Sequence, residues 1–464
     1  MRRTAFTGTA IAVAALMVSL ADAKPAEPRP GAAEGPLGAG LHLDVKRQRL
    51  DDGLRVVMLV DHTSPTVAVA VVYDVGSRNE QRGRSGFAHL LEHMMFQGSA
   101  NVARGEHSTL VTSHGGAVGG AASEDHTSYF ETLPSRELAL GLWLEADRMK
   151  ALDVSQESFE AQRAVLKEEV RTRVESAPYA PAVIRLQELV YQGYWPYEHA
   201  AVGEMRDLDA AELPRVRAFH ERFYAPNEAV LSIAGDFDEG QATALVKEYF
   251  GDVRRQPRVP ELALPPLPEQ TAARTAILED PHAELQGLFE GWAIPKAGEP
   301  DHYALELAAM ALGDGDGSRL SRALVRERAL AVSASAGTEG RRGPDMLRIT
   351  AKLAKGAKLD EAKTLIDAQL DDLARAGPTE QEMKKLHARK KAQLLFGLQS
   401  NRARAQELAR FELHRGDASL LNDELGRYFA VTKEDVKRVA GQYLTRDRRS
   451  VVEVRPGTTE GERR

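Results

Sequence analysis

Cysteine is absent from this 464-residue chain. That excludes disulfides, thiolate metal sites, a cysteine nucleophile and an amino-terminal lipid carried on cysteine. Any metal must be held by His, Asp and Glu. No long basic block is present and the formal net charge is −7, so nucleic acid is not a favoured partner. Beyond the first 23 residues no apolar run is long enough to span a membrane, which takes about 20 residues. Hydrophobic residues at 43% and charged residues at 28% are ordinary for a globular protein and exclude bulk disorder, collagen and a polytopic membrane protein. The length is about three times the ~150-residue norm for one domain, so two or more domains are expected.

What is present starts with a targeting pattern. Arg2 and Arg3 precede an almost wholly apolar run at 9–20, and Ala21, Asp22 and Ala23 form a small-residue cleavage site. This is the order of a secretory signal peptide over residues 1–23. Residues 24–42, rich in Pro, Gly and Ala, read as a flexible linker. The expected location is outside the cytoplasm, the periplasm in a Gram-negative host.

The remainder reads as one unit written twice. Residues 54–75 suggest two β-runs joined by a turn at 61–65, followed by helical stretches near 85–97, 135–150, 155–175 and 211–223 and a strand at 228–236. The order recurs with β-runs in 272–293, helical stretches at 301–312, 358–375, 379–414 and 432–443, and a strand at 450–455. Residues 216–233 resemble 436–454, with Tyr224 opposite Tyr443, and Gly98 can be set against Gly313. Residues 257–270 form a Pro-rich linker between the halves. The expected fold class is therefore α+β, with two homologous domains at 43–256 and 271–456, each an antiparallel-rich sheet packed with helices, and a tail at 457–464.

The segment richest in chemistry is 83–99 (GRSGFAHLLEHMMFQGS). On a helix, His89 and His93 stand four apart on one face, with Glu92 beside them. Two imidazoles at this spacing suit a tetrahedral zinc, and a neighbouring carboxylate can take a proton from a metal-activated water. The order H-x-x-E-H is that of the inverzincins. A buried helix with two satisfied histidines would give the same letters. A catalytic zinc also needs a third ligand, for which Glu160, Glu168, Glu169 and Glu175 on the helical stretch 158–176 are the candidates. Spacing does not choose among them.

Here the chain resembles the pitrilysin/insulinase family of zinc metallopeptidases, most closely its short-chain branch that includes the mitochondrial processing peptidases. Residues 165–170 (VLKEEV) match the family's glutamate-ligand context. The resemblance continues through 115–134, 195–203, 223–236 and 313–333. It implies one Zn2+ per chain held by His89, His93 and Glu169, Glu92 as general base, and peptides as substrates. The alternatives are a non-catalytic scaffold or binding subunit of the same fold, and an unrelated metal-dependent hydrolase.

Three departures from the family pattern stand out. A supporting glutamate seven residues before the ligand is replaced by Gln162. The polar stretch that lines the substrate is replaced by Gly119, Gly120, Ala121 and Ala122, at which an extended peptide could still add to a sheet edge; a flexible loop at 115–120 is the alternative. An Arg and a Tyr that reach the substrate from the second half of long-chain relatives fall at Val325 and Val332, neither of which can donate a hydrogen bond to an oxyanion. Arg326 and Arg328 lie nearby. The second half has Ala304, Leu307 and Ala308 opposite His89, Glu92 and His93. The resemblance therefore implies a heterodimer, in which a related subunit supplies the Arg/Tyr pair. The remaining histidines, including His107, His114, His126, His199, His302 and His414, lack ligand spacing and read as surface or structural, with His114 and His126 flanking the substrate edge. Residues 313–318 (GDGDGS) read as a turn after a helix.

Overall fold

The structure is a computed structural model that describes residues 42–257, 259 and 264–457. The signal-peptide reading at 1–23, nearly all of the 24–42 linker, the middle of the Pro-rich linker and the tail beyond residue 457 lie outside the described residues.

Each half builds one sheet. The first contains β1 (Lys46–Arg49), β2 (Arg55–Val60), β3 (Thr66–Tyr73), β4 (Ala117–Ala122), β5 (Thr127–Pro134) and β6 (Ala229–Gly235), in the order β1-β2-β6-β3-β5-β4. The second contains β7 (Arg274–Asp280), β8 (Gly287–Ile294), β9 (Ala331–Thr338), β10 (Asp345–Leu353) and β11 (Ser450–Pro456), in the order β7-β11-β8-β10-β9. With β1 set aside, the two orders are the same strand for strand. The pair β2/β6 is parallel, as is β7/β11, and the other pairings are antiparallel. The expected duplicated α+β architecture is thus present.

Both faces of the first sheet are buried, and the period-two geometry of a strand decides which residues face which core. Along β3, Val67, Val69, Val71 and Tyr73 join one cluster, while Ala68, Ala70 and Val72 join another. The first cluster includes the apolar faces of the helices Phe87–Met94, Leu138–Ala151, Gln156–Val170 and Leu213–Phe223. The second is closed by the helix Asn401–Arg415 from the other half of the chain, through Ala405, Leu408, Ala409 and Phe411. Alanines on both surfaces let helix and sheet approach closely.

The exchange is reciprocal. The helix Ala180–Val190 belongs to the first half in sequence but packs Ala182, Leu186, Leu189 and Val190 against Phe289, Met346, Val452 and Val454 of the second sheet. Gly291 on β8 accommodates it: a Cβ there would stand 2.9 Å from Val190 Cγ2. Each half therefore completes the core of the other.

One local expectation needs correction. The helical stretch at 379–414 is two helices, Glu380–Gly397 and Asn401–Arg415. Ser400 ends continuity by capping the second, its Oγ accepting the Ala403 N–H at 3.1 Å. Residues 117–122, read from sequence as a strand edge with a flexible loop as the alternative, form strand β4, which pairs with β5 and is the edge of the sheet among the described residues.

Candidate metal centre

The helix Phe87–Met94 buries Leu90, Leu91 and Met94 in the first core, which turns His89, Glu92 and His93 the other way. Its start is held by unusual means. Gly86 takes the cap position at φ 86°, and Gly203 at φ 85° lies against it. A Cβ on Gly203 would stand 2.5 Å from Gly86 Cα, so two glycines back to back let the segment 195–203 seat against the helix. No cap side chain is available at Gly86, and the buried Glu80 carboxylate substitutes, accepting the N–H groups of Gly86 and Ala88, each at 2.9 Å. Glu80 is held in turn by His199 Nε2 at 3.2 Å, and His199 is stacked on Trp195 with ring centroids 3.9 Å apart. Burial pushes the Glu80 carboxyl up, opposed by His199 and the two amides. Ser85 adds a second anchor by donating to Asp207 Oδ2 at 2.7 Å.

Glu169 comes from the last turn of the helix Gln156–Val170. Its Oε1 lies 3.7 Å from His89 Nε2 and its Oε2 lies 3.4 Å from His93 Nε2. One donor atom from each of the three residues falls within 4.8 Å of the others, and all three are half-buried. Two imidazole nitrogens and one carboxylate oxygen converging this closely fit a zinc ion with a coordination position left over. Burial, with His93 adding to it, pushes the His89 imidazole below its ordinary value and favours the neutral form that a ligand needs. Glu168, the neighbour that spacing left open as a rival, turns outward and pairs with Arg171 at 3.1 Å. Glu169 pairs instead with Arg173, Oε1 to Nη1, at 2.6 Å.

Glu92 is turned toward β4, where its Oε2 accepts the Ala122 N–H at 2.6 Å. Burial raises the Glu92 carboxyl and nearby Glu169 adds to the rise, against the lowering effects of the Ala122 amide and Arg173. A carboxylate so raised stands nearer neutrality than a free one, which suits a proton acceptor. Gly120 leaves room for it, since a Cβ there would sit 3.3 Å from Glu92 Cγ and 3.1 Å from Tyr129. A cavity of about 520 Å³ surrounds the group, lined by His89, Glu92, His93, Glu169, Arg173 and the 120–122 edge, together with Val174, Ala201 and Val202.

Other residues singled out from sequence fall elsewhere. Gln162 lies two turns before Glu169, half-buried. Val325 and Val332 belong to the second half, Val332 being exposed on β9, and Arg326 and Arg328 are solvent-exposed. None of the four lines the cavity. His107 and His302 are buried against Glu131 at 3.0 Å and Asp345 at 2.8 Å, which are structural roles. His114 is exposed at a helix end, and His126 faces His414, not the metal group. Residues 314–318 form the turn that follows the helix Pro300–Gly313. Sequence reasoning missed the Glu80–His199–Trp195 brace and Arg173. The Gly86/Gly203 contact was legible only as two motifs far apart in the chain.

Comparison with known proteins agrees with this geometry. A family model described as insulinase (peptidase family M16) matches residues 55–194, and one described as peptidase M16 inactive domain matches 211–389. Zinc protease PqqE of Helicobacter pylori is 29% identical over 430 residues, covering 90% of this chain and 96% of that protein. The mitochondrial-processing peptidase subunit beta of Blastocladiella emersonii is 26% identical over 423 residues, covering 88% of each. The crystal structure of a protease from Helicobacter pylori superposes with a TM-score of 0.85 at 28% identity, over 89% of this chain and all of that one. The periplasmic protease PqqL from Escherichia coli shares the fold, with a TM-score of 0.72 at 17% identity over 91% of this chain and 50% of that one. With its duplicated sheets and its converging His, His and Glu, the chain is a zinc metallopeptidase of the insulinase (M16) fold.

Proposed function

We propose that this chain is the catalytic subunit of an exported, heterodimeric zinc endopeptidase, with one zinc per chain held by His89, His93 and Glu169. The observation that carries the reading is the convergence of these three ligands beside Glu92 at an open sheet edge. When bound, the ion acidifies a water and polarises the peptide carbonyl. The chain's own residues do the rest. The unpaired side of β4 offers backbone groups at Gly119, Gly120, Ala121 and Ala122 on which an extended peptide can lie as an added strand. Glu92 accepts the water's proton and afterwards delivers it to the departing amine. The Ala122 N–H holds one Glu92 oxygen, which leaves the other free for that transfer. Gln162 can hydrogen-bond near the site but adds no charge.

The partner subunit is supported by what the second half leaves out. Among the described residues the cavity around the ligands is lined only from within 89–202, and Val325 and Val332 carry no side-chain donor. The PqqL chain holds as much again beyond the matched unit, the length expected where a second such unit is fused and not separate. Export rests on the pattern of residues 1–23; among the described residues no helix is long and apolar enough to cross a membrane.

The test is to assay the purified chain on peptides alone and with a candidate partner that has an Arg/Tyr pair and a degraded zinc motif. Activity is expected only for the mixture, and Glu92→Gln is expected to bind zinc without turnover. Full activity of the chain alone would remove the heterodimer from the account. Normal turnover by Glu92→Gln would remove the general base.

A further inference from the structure

Among the described residues, the cavity at the metal ligands has one cationic side chain in its wall. Gly120, Ala121, Ala122, Val174, Ala201 and Val202 bring no charge, and His89, Glu92, His93 and Glu169 are committed to metal binding and proton transfer. That leaves Arg173. It lies in the widened helical turn Arg171–Glu175, a geometry often found at functional sites. Four residues after Glu169, it projects on the same side of the helix as that ligand, whereas Arg171 pairs outward with Glu168. The contact with Glu169 uses Nη1, and the side chain is 75% exposed. A guanidinium has five N–H donors, so most of its hydrogen-bonding capacity is open to solvent at the cavity wall.

We propose that Arg173 gives the enzyme a preference for peptides with an acidic side chain close to the scissile bond, held by the free donors of the guanidinium. The inference rests on the endopeptidase reading above. A carboxylate arriving beside Arg173 is matched in charge and in fork geometry, and a lysine at the same place is repelled. A role confined to steadying Glu169 would behave differently. Loss of Arg173 would then weaken zinc binding and slow every peptide alike.

The experiment uses three fluorogenic peptides that differ only in carrying Asp, Ala or Lys beside the cleaved bond, assayed on the full chain with its partner where the partner is required. Wild type is expected to favour Asp over Lys in kcat/KM by about fivefold or more, the scale of one partly exposed ion pair. Arg173→Ala should bring the three together, and Arg173→Glu should invert the order. Binding is measured in parallel by fluorescence anisotropy of the same labelled peptides on Glu92→Gln, with and without Arg173→Glu, and should show the same order without turnover. A ratio left unchanged by Arg173→Glu, in cleavage and in binding, would overturn the proposal. Cleavage of the Ala peptide by wild type separates the two ideas. If it is cut while the ratios stay flat, only the preference fails; if nothing is cut, the endopeptidase reading fails and the binding order still judges Arg173.

Discussion

The helices Phe87–Met94 and Pro300–Gly313 hold equivalent places in the two halves, yet they have opposite chemistry. In the first, the surface away from the core presents His89, Glu92 and His93, with Glu169 reaching in from a neighbouring helix. In the second, Ala304, Leu307 and Ala308, which fall opposite those three when Gly98 is set against Gly313, are each at most 1% exposed. The whole second helix is sunk in its core, from His302 to Gly313 with the exception of Glu306. The sheets beneath are the same strand for strand. One fold therefore serves two purposes: the first half leaves a helix face open and lines it with ligands, and the second fills the same face and uses it for packing. The first also has a brace that the reactive helix needs, with Glu80 supplying acceptors at a helix start that glycine cannot cap.

The largest effect is expected from removing a ligand. His93→Ala should lose zinc and lower turnover by roughly 10³-fold or more, checked by metal analysis and peptide assay. The converse substitution should fail to create a site: Ala304→His with Ala308→His copies the i, i+4 spacing into a closed core. Overpacking and unpartnered polar atoms there should cost about 2–5 kcal/mol, seen as a lower urea midpoint with no gain of metal. Zinc bound by that double variant would break the contrast between the halves.

How much of this could be read from the sequence differs by element. The ligand pair and Glu92 lie within five residues, and a helix places them without any tertiary information. The choice of Glu169 over Glu168 needed the family resemblance, because adjacent residues differ only in the direction they face. The apolar runs of β2, β3 and β6 were legible. Strands β9 and β10 were not, since β9 (AVSASAGT) is built of small residues with a weak period. The exchange of helices between the halves left no local signal: the alanines of Asn401–Arg415 and of β3 are informative only when set face to face. Arg173 is one arginine among several on a charged helix until the fold turns it toward the ligands.

Smaller effects sharpen the comparison further. Gly203→Ala adds a Cβ 2.5 Å from Gly86 Cα at a left-handed backbone position. It should cost about 1–3 kcal/mol and weaken zinc binding by about tenfold, measured by denaturation and chelator competition. Unchanged zinc affinity would mean that the close seating of Gly203 on Gly86 is not needed. The pH profile should be the gentlest test. Burial raises the Glu92 carboxyl, and a general base works only when deprotonated, so kcat/KM should fall as pH drops through that raised value. That fall is the acid limb of the profile. Arg173→Ala removes a lowering influence on Glu92 and should move that limb higher still.

The most direct measurement is zinc per chain, read by native mass spectrometry, for wild type, Glu92→Gln and the His89→Ala/His93→Ala double variant, each paired with a peptide assay that includes the partner subunit where it is required. The account predicts one zinc in wild type, one in inactive Glu92→Gln, and none in the double variant. Zinc retained by the double variant, or turnover retained by Glu92→Gln, would contradict the claim that the first half alone holds the chemistry.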